Sequence, residues 1–185
     1  VRGNNSVLKS NDTDGVENPV TDFSGGGITS INSTSFTISQ GTSNNDNLNE
    51  SDDTFVAWTW KAGGSKNTFN VDNVGYSTYT DASGLSDGTI KINAASVGTK
   101  QGFSIIKYTG TDNTSDTFSH GLSQKPNFAI FKNLSQSGDD WIVYHSSEGA
   151  TKRGKLNLNN AFDAQTSQFN DTEPTSSVFS VGAAS

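Results

Sequence analysis

Three short apolar runs at close spacing dominate the hydrophobic pattern: Phe103-Ser-Ile-Ile-Lys-Tyr108, Phe128-Ala-Ile-Phe131 and Trp141-Ile-Val-Tyr144. Each is rich in β-branched and aromatic side chains and too short for a globular helix, so each predicts a β-strand. Gly110, Gly121, Pro126 and Gly138 punctuate them. Successive side chains of an extended chain point to opposite faces, which puts Phe103 and Ile105 on one face and Ile106 and Tyr108 on the other. Both faces are apolar, as they are for Phe128/Ile130 against Ala129/Phe131 and for Trp141/Val143 against Ile142/Tyr144. The pattern predicts inner strands covered on both sides, by a second sheet or by a partner chain.

Thr54-Phe-Val-Ala-Trp-Thr-Trp-Lys61 is the strongest single strand signal, with Phe55, Ala57 and Thr59 on one face and Val56, Trp58 and Trp60 on the other. Tryptophans at i and i+2 suit a sugar-stacking platform, but on an otherwise apolar strand they belong to a core, and core is the expectation. Shorter strands are expected at Val7-Leu8, Ser35-Phe-Thr-Ile38, Thr89-Ile-Lys-Ile-Asn93, Lys155-Leu-Asn-Leu158 and Val178-Phe-Ser-Val181. Phe36 and Ile38 alternate with polar neighbours, as a half-buried strand requires. Gly25-Gly-Gly27 supplies a turn or bulge, and Ala62-Gly-Gly-Ser65 a flexible break. Residues 65–101 carry few apolar positions and read as a long connection over a surface. No window sustains the spacing of an amphipathic helix. The expected fold is all-β and antiparallel, a β-sandwich or jelly-roll with long polar loops.

Composition agrees with that reading. Only 30% of the 185 residues are hydrophobic, so polar residues must fill turns and loops. The 3 Trp, 11 Phe and 4 Tyr are too many, and too clustered, for a wholly disordered chain. Lys+Arg 12 against Asp+Glu 19 leaves a net charge of -7 with no basic stripe, which argues against a nucleic-acid partner. The densest basic cluster, Lys152-Arg-Gly-Lys155, reads as a solvated turn at a strand edge. With no cysteine there is no disulfide framework and no thiolate metal site. No apolar run approaches the roughly 20 residues that span a bilayer, so no membrane insertion is expected. The stretch Asn44-Asn-Asp-Asn-Leu-Asn-Glu-Ser-Asp-Asp53 has the oxygens of a calcium loop. It lacks the alternating acids and central glycine of an EF-hand, so a solvated hairpin loop is expected, with no metal and no cofactor.

An internal echo runs through the chain. Arg2-Gly3, Val7-Leu8, Ser10-Asn11 and Ser35-Phe-Thr-Ile38 are matched in order by Arg153-Gly154, Leu156 and Leu158, Asn159-Asn160 and Val178-Phe-Ser-Val181. The expected organisation is residues 1–62 as the back part of one β module, 63–101 as an extended connection, and 102–185 as the front part of a second.

Phe55-Val-Ala-Trp-Thr-Trp-Lys-Ala-Gly-Gly64, Gly102-Phe-Ser-Ile-Ile-Lys-Tyr-Thr-Gly110, His120-Gly-Leu122 with Pro126, Trp141-Ile-Val-Tyr-His145 and Pro174-Thr-Ser-Ser-Val-Phe-Ser-Val-Gly182 follow one another along the chain. This succession resembles a family of repeat-containing virion proteins of marine tailed bacteriophages, usually labelled tail fibre or structural proteins. The resemblance implies a place on the outer surface or tail of the particle. It implies virion assembly with other virion proteins, while the strands apolar on both faces in a chain of low apolar content lead to the expectation of burial by copies of itself, a homo-oligomer with a trimer among its forms. It also implies a host surface glycan or protein as a target, and it supplies no catalytic residues. In that family further sequence flanks both ends, so the expectation is either a fragment of a longer polypeptide or the ordered part of one.

No catalytic constellation is expected. His120 and His145 are the only side chains that titrate near neutrality unperturbed, and neither accompanies a strained nucleophile turn. Asp139, Asp140, Glu148 and Glu173 are available as glycosidase carboxylates, but their positions carry no evidence of pairing. A ligand surface is expected in loops presented by a rigid β scaffold. The candidates are Asn113, Asp116 and His120 in one loop region, Asp139 and Asp140 in another, with Tyr144 and His145 nearby. Three roles are compatible with this: a fibre module touching the host, a purely structural capsid or tail component for decoration or assembly, and a polysaccharide-degrading tail protein.

Overall fold

Strands form where the sequence alternates, and they end where it places Gly, Asn or Asp. The computed structural model describes residues 6–7, 10, 13, 18–19, 27–32, 34–39 and 51–183. Among the described residues the fold is all-β, with antiparallel sheets and one parallel pair. No helix among the described residues is long and apolar enough to cross a membrane. The chain divides into two units, Val1–Thr59 with Lys132–Asp140, and Trp60–Phe131 with Trp141–Ser185.

In the first unit β1 (Ser6–Val7) pairs with β2 (Asn18–Pro19), and β3 (Gly27–Ile31) forms a hairpin with β4 (Phe36–Ser39). The register slips between Ile28 and Ser30, and Ser30 Oγ donates to Thr37 Oγ1 at 2.9 Å across the pair. The expected residues Arg2, Gly3, Leu8, Asn11, Gly25 and Gly26 lie outside the described residues, as does 44–50 of the suggested calcium loop.

In the second unit β5 (Phe69–Val71), β6 (Val74–Tyr76), β7 (Ile92–Gly98) and β8 (Phe103–Tyr108) form a sheet in the order β6-β5-β7-β8. The two-residue turn Asp72-Asn73 joins β5 to β6 with φ of 50° and 68°. Two successive left-handed residues suit the right-handed twist of a hairpin, and Asp and Asn tolerate them. β9 (Asp116–Ser119) pairs with β14 (Val178–Val181), and β10 (Phe128–Phe131), β11 (Ile142–His145), β12 (Lys152–Lys155) and β13 (Asp163–Ala164) follow in order across a third sheet.

These three sheets share one core of Phe69, Leu85, Ile90, Ile92, Ala95, Val97, Phe118, Tyr144, Phe169 and Phe179. Phe179 is its aromatic hub, with ring centroids 5.9 Å from Phe118, 5.1 Å from Phe131, 5.1 Å from Tyr144 and 5.6 Å from Phe169. Such edge and stacked contacts add to the burial that dominates core energetics.

Several expectations are corrected. Residues 54–60 form no strand, and Val56, Trp58 and Trp60 are 78%, 77% and 66% exposed, so these tryptophans are not core. Residues 65–101, read as a connection, contain β5, β6 and β7 and supply much of the core, because a parallel pairing of β5 with β7 joins segments too poor in apolar residues to read as strands singly. Lys152-Arg-Gly-Lys155 is β12, an inner strand of its sheet, where Gly154 is buried against Phe162 and Arg153 donates to Gln168 at 2.9 Å. Leu156 and Leu158 lie beyond that strand and are exposed. Trp141 is half-buried and immediately precedes β11. The echoed strands β4 and β14 differ in burial, with Phe36 39% and Phe179 1% exposed.

Candidate functional site

Asn113 and Asp116 come together where the chain enters β9. Asp116 accepts from Thr89 Oγ1 at 2.9 Å, from Asn113 Nδ2 at 3.1 Å and from the Thr111 hydroxyl. Hydrogen bonds from Thr111 first, then Thr89 and Asn113, hold its carboxyl below the usual carboxylate range. The carboxylate thus ties a loop to the segment before β7.

His120, at the other end of β9, is buried. Leu122 N donates to its Nδ1 at 3.2 Å, so Nε2 carries the proton and faces the Thr175 carbonyl at 3.3 Å. Burial first of all depresses its pKa, against the hydrogen bond to Thr175 and the charge of Asp87, which raise it. The imidazole therefore acts as a neutral bridge between two loops.

Tyr144 is fully buried, and its hydroxyl donates to Glu173 Oε2 at 2.6 Å. Glu173 also accepts from Lys125 Nζ at 2.8 Å and from the Ala150 amide at 2.7 Å, so one carboxylate joins three segments. The hydrogen bond from Lys125, then that from Tyr144, lower its pKa. The neighbouring His145 is exposed, with Nδ1 2.7 Å from Ser147 Oγ and its ring edge-on to Phe128. Asp139 belongs to the first unit, where Asn133 Nδ2 donates to it at 2.6 Å and its carbonyl accepts from Lys132 Nζ at 2.7 Å. Asp140 is half-buried in that same unit.

A polar cleft of about 290 Å³ opens beside His120, lined by Ser83, Gly84, Asp87, Gly121, Ser123, Ser176 and Ser177. Three connections build it: the one between β6 and β7, the one after β9 and the one before β14. Gly121 has φ of 71°, and a Cβ there would meet Leu85 at 2.9 Å, so the glycine lets the loop pass over the core. Ser119 Oγ accepts from Gly88 N at 2.8 Å and fixes the first connection to β9. A family model matches residues 1–185, the whole chain.

The chain belongs to the family described as Domain of unknown function (DUF7483). No curated protein and no solved structure matches it.

In this member of the family the cleft presents hydroxyls, one carboxylate and two glycines. Among the described residues no group of three or more His, Cys, Asp or Glu side chains gathers to hold a metal. Of the sequence candidates, His120 alone adjoins the cleft. The serines at 83, 123, 176 and 177 carried no signal of their own, since Ser and Gly in turns are ordinary loop chemistry.

Proposed function

We propose that the protein is a non-enzymatic structural and adhesive module of a bacteriophage particle, self-associating and contacting the host surface from the outer surface or tail. The observation that carries this reading is the exposed segment 55–60, which leaves Phe55, Val56, Trp58 and Trp60 in water. Such a surface fits association better than a solitary soluble domain. The resemblance of the ordered motifs to tail-fibre-type virion proteins adds to it. A cleft between loops, polar and shallow, suits a host glycan or a polar protein surface, and other virion proteins are the remaining partners. We also propose sandwich or jelly-roll layering of the sheets, supported by the single core that Phe69, Phe118 and Tyr144 enter from different sheets.

A purely structural capsid or tail role is the second reading. It is favoured by the engagement of Asp116, His120 and Tyr144 in bonds that hold the fold itself. Antibody labelling of intact particles, with competition of particle adsorption by the isolated protein, tests the proposal. Labelling with competition supports the host-contact reading, and Ser176→Arg in the cleft should then abolish competition without unfolding the protein. Labelling without competition favours the structural reading, and no labelling overturns both. Release of oligosaccharide from host polymer would instead favour a degrading enzyme.

A further inference from the structure

Residues 54–60 carry the β-branched and aromatic pattern of a strand, yet their backbone pairs with nothing among the described residues. β8 has the complementary defect. It lies at the edge of its sheet, and Ile105 is 57% exposed on the face away from the core. A free strand edge bearing apolar side chains is a template for another strand.

The two fit in one antiparallel register. With residue 60 opposite 103, Trp58 falls opposite Ile105 and Val56 opposite the stem of Lys107, all on the outer face. Ala57 then falls opposite Ile106 and Phe55 opposite Tyr108, on the face that enters the core. No like charges oppose one another, and aromatic and β-branched pairs stabilise such contacts. In one molecule Trp60 stacks on its own Phe103, centroids 6.0 Å apart and planes at 15°, and in the assembly Trp60 of another copy takes that place.

The same chain cannot supply that strand to itself. Gly64 O accepts from Ser96 Oγ at 2.7 Å, Gly63 lies against Val97, and Lys61 O comes close to Gly98. Followed backwards from Gly64, the chain thus runs towards the β7–β8 turn and reaches Trp60 beside Phe103. Lying along β8 would require a reversal between Lys61 and Trp60, where no residues remain for the two-residue loop that a hairpin needs at minimum.

We propose that residues 54–60 of one molecule add as a strand to the free edge of β8 in a second copy of this chain. The added strand removes Trp58 from water and closes the sheet edge, and Lys107 opposes other, uncontrolled edge pairings. This rests on the self-association in the reading above but needs neither the virion location nor the host contact.

The chain has no cysteine, so introduced thiols report cleanly. Trp58→Cys and Ile105→Cys proteins, mixed and oxidised in air, should give a disulfide-linked heterodimer. Trp58→Cys mixed with Leu158→Cys, an exposed position off this register, should give none. In parallel, sedimentation should show wild type self-associating, with Trp58→Ala weakening association by on the order of tenfold or more. Ala57→Pro, which removes the amide hydrogen bond opposite Ile106 on the free edge, should weaken it too while near-ultraviolet dichroism stays native. Three results overturn the proposal: a monomer at every concentration, equal cross-linking of the control pair, or a bond formed only within single molecules of the Trp58→Cys/Ile105→Cys double variant. Loss of particle labelling with the heterodimer intact would sink the virion reading alone.

Discussion

The Tyr144 hydroxyl, at the end of a wholly buried side chain, donates to Glu173 Oε2 at 2.6 Å, while the carboxylate keeps its contact with Lys125 near solvent. Burial first, then the bond to Glu173, pushes the phenol of Tyr144 well above its ordinary range. The unfolded phenol loses its proton near pH 10 and the folded one does not, so this contribution to stability is full below about pH 10 and declines as pH rises further. Phenolate absorbance from Tyr144 should appear only with alkaline unfolding. Tyr144→Phe should cost about 1 kcal/mol at neutral pH in urea denaturation, and Glu173→Gln should loosen the segment at Ala150. An unchanged midpoint in Tyr144→Phe would show that the bond contributes nothing.

Acid should act through His120. Burial holds its pKa below 6.5, so the unfolded chain takes up a proton that the folded state resists. Stability is therefore full above roughly pH 6.5 and falls as pH drops through the folded value. Thermal midpoints measured against pH should show this decline in wild type and a flatter limb in His120→Gln. An equally steep limb in the variant would assign the effect to another group.

Core position should separate two phenylalanines that look alike in sequence. Phe179→Ala removes the ring at the centre of the aromatic cluster and should cost about 3–5 kcal/mol. Phe36→Ala, at a position 39% exposed, should cost under about 1 kcal/mol. Urea unfolding of both variants measures the difference, and similar losses would contradict the burial assigned to Phe179.

Gly63 has no room for a side chain, since a Cβ there would lie 1.8 Å from the Val97 carbonyl oxygen. Backbone cannot give way as a flexible side chain does. Gly63→Ala should destabilise by about 1–3 kcal/mol and free the Lys61–Gly64 segment from β7, raising amide exchange at Asn73, which donates to the Gly63 carbonyl. Protection at Asn73 equal to wild type would show that the segment does not depend on this approach.

Alternation, turn residues and length by themselves determined that the protein is all-β and where β8, β10, β11 and β14 lie, because these strands carry their own pattern of apolar faces. The sequence also placed Asn113 in a loop, but it read Asp116 as loop where the structure makes it the first residue of β9. It could not tell Trp58 from Tyr144. Both sit on runs with two apolar faces, but only Tyr144 belongs to a strand with neighbours on both edges, and burial is conferred by those neighbours. The tertiary structure decided that residues 65–101 complete a sheet, since β5 and β7 are stabilised by a parallel pairing between positions more than a turn apart in the chain. It also decided the partners of Glu173 and the cleft beside His120, which arise where loops distant in sequence meet. Local propensity describes what one segment can become. Whether its side chains leave water depends on what the rest of the chain, or a second chain, brings against it.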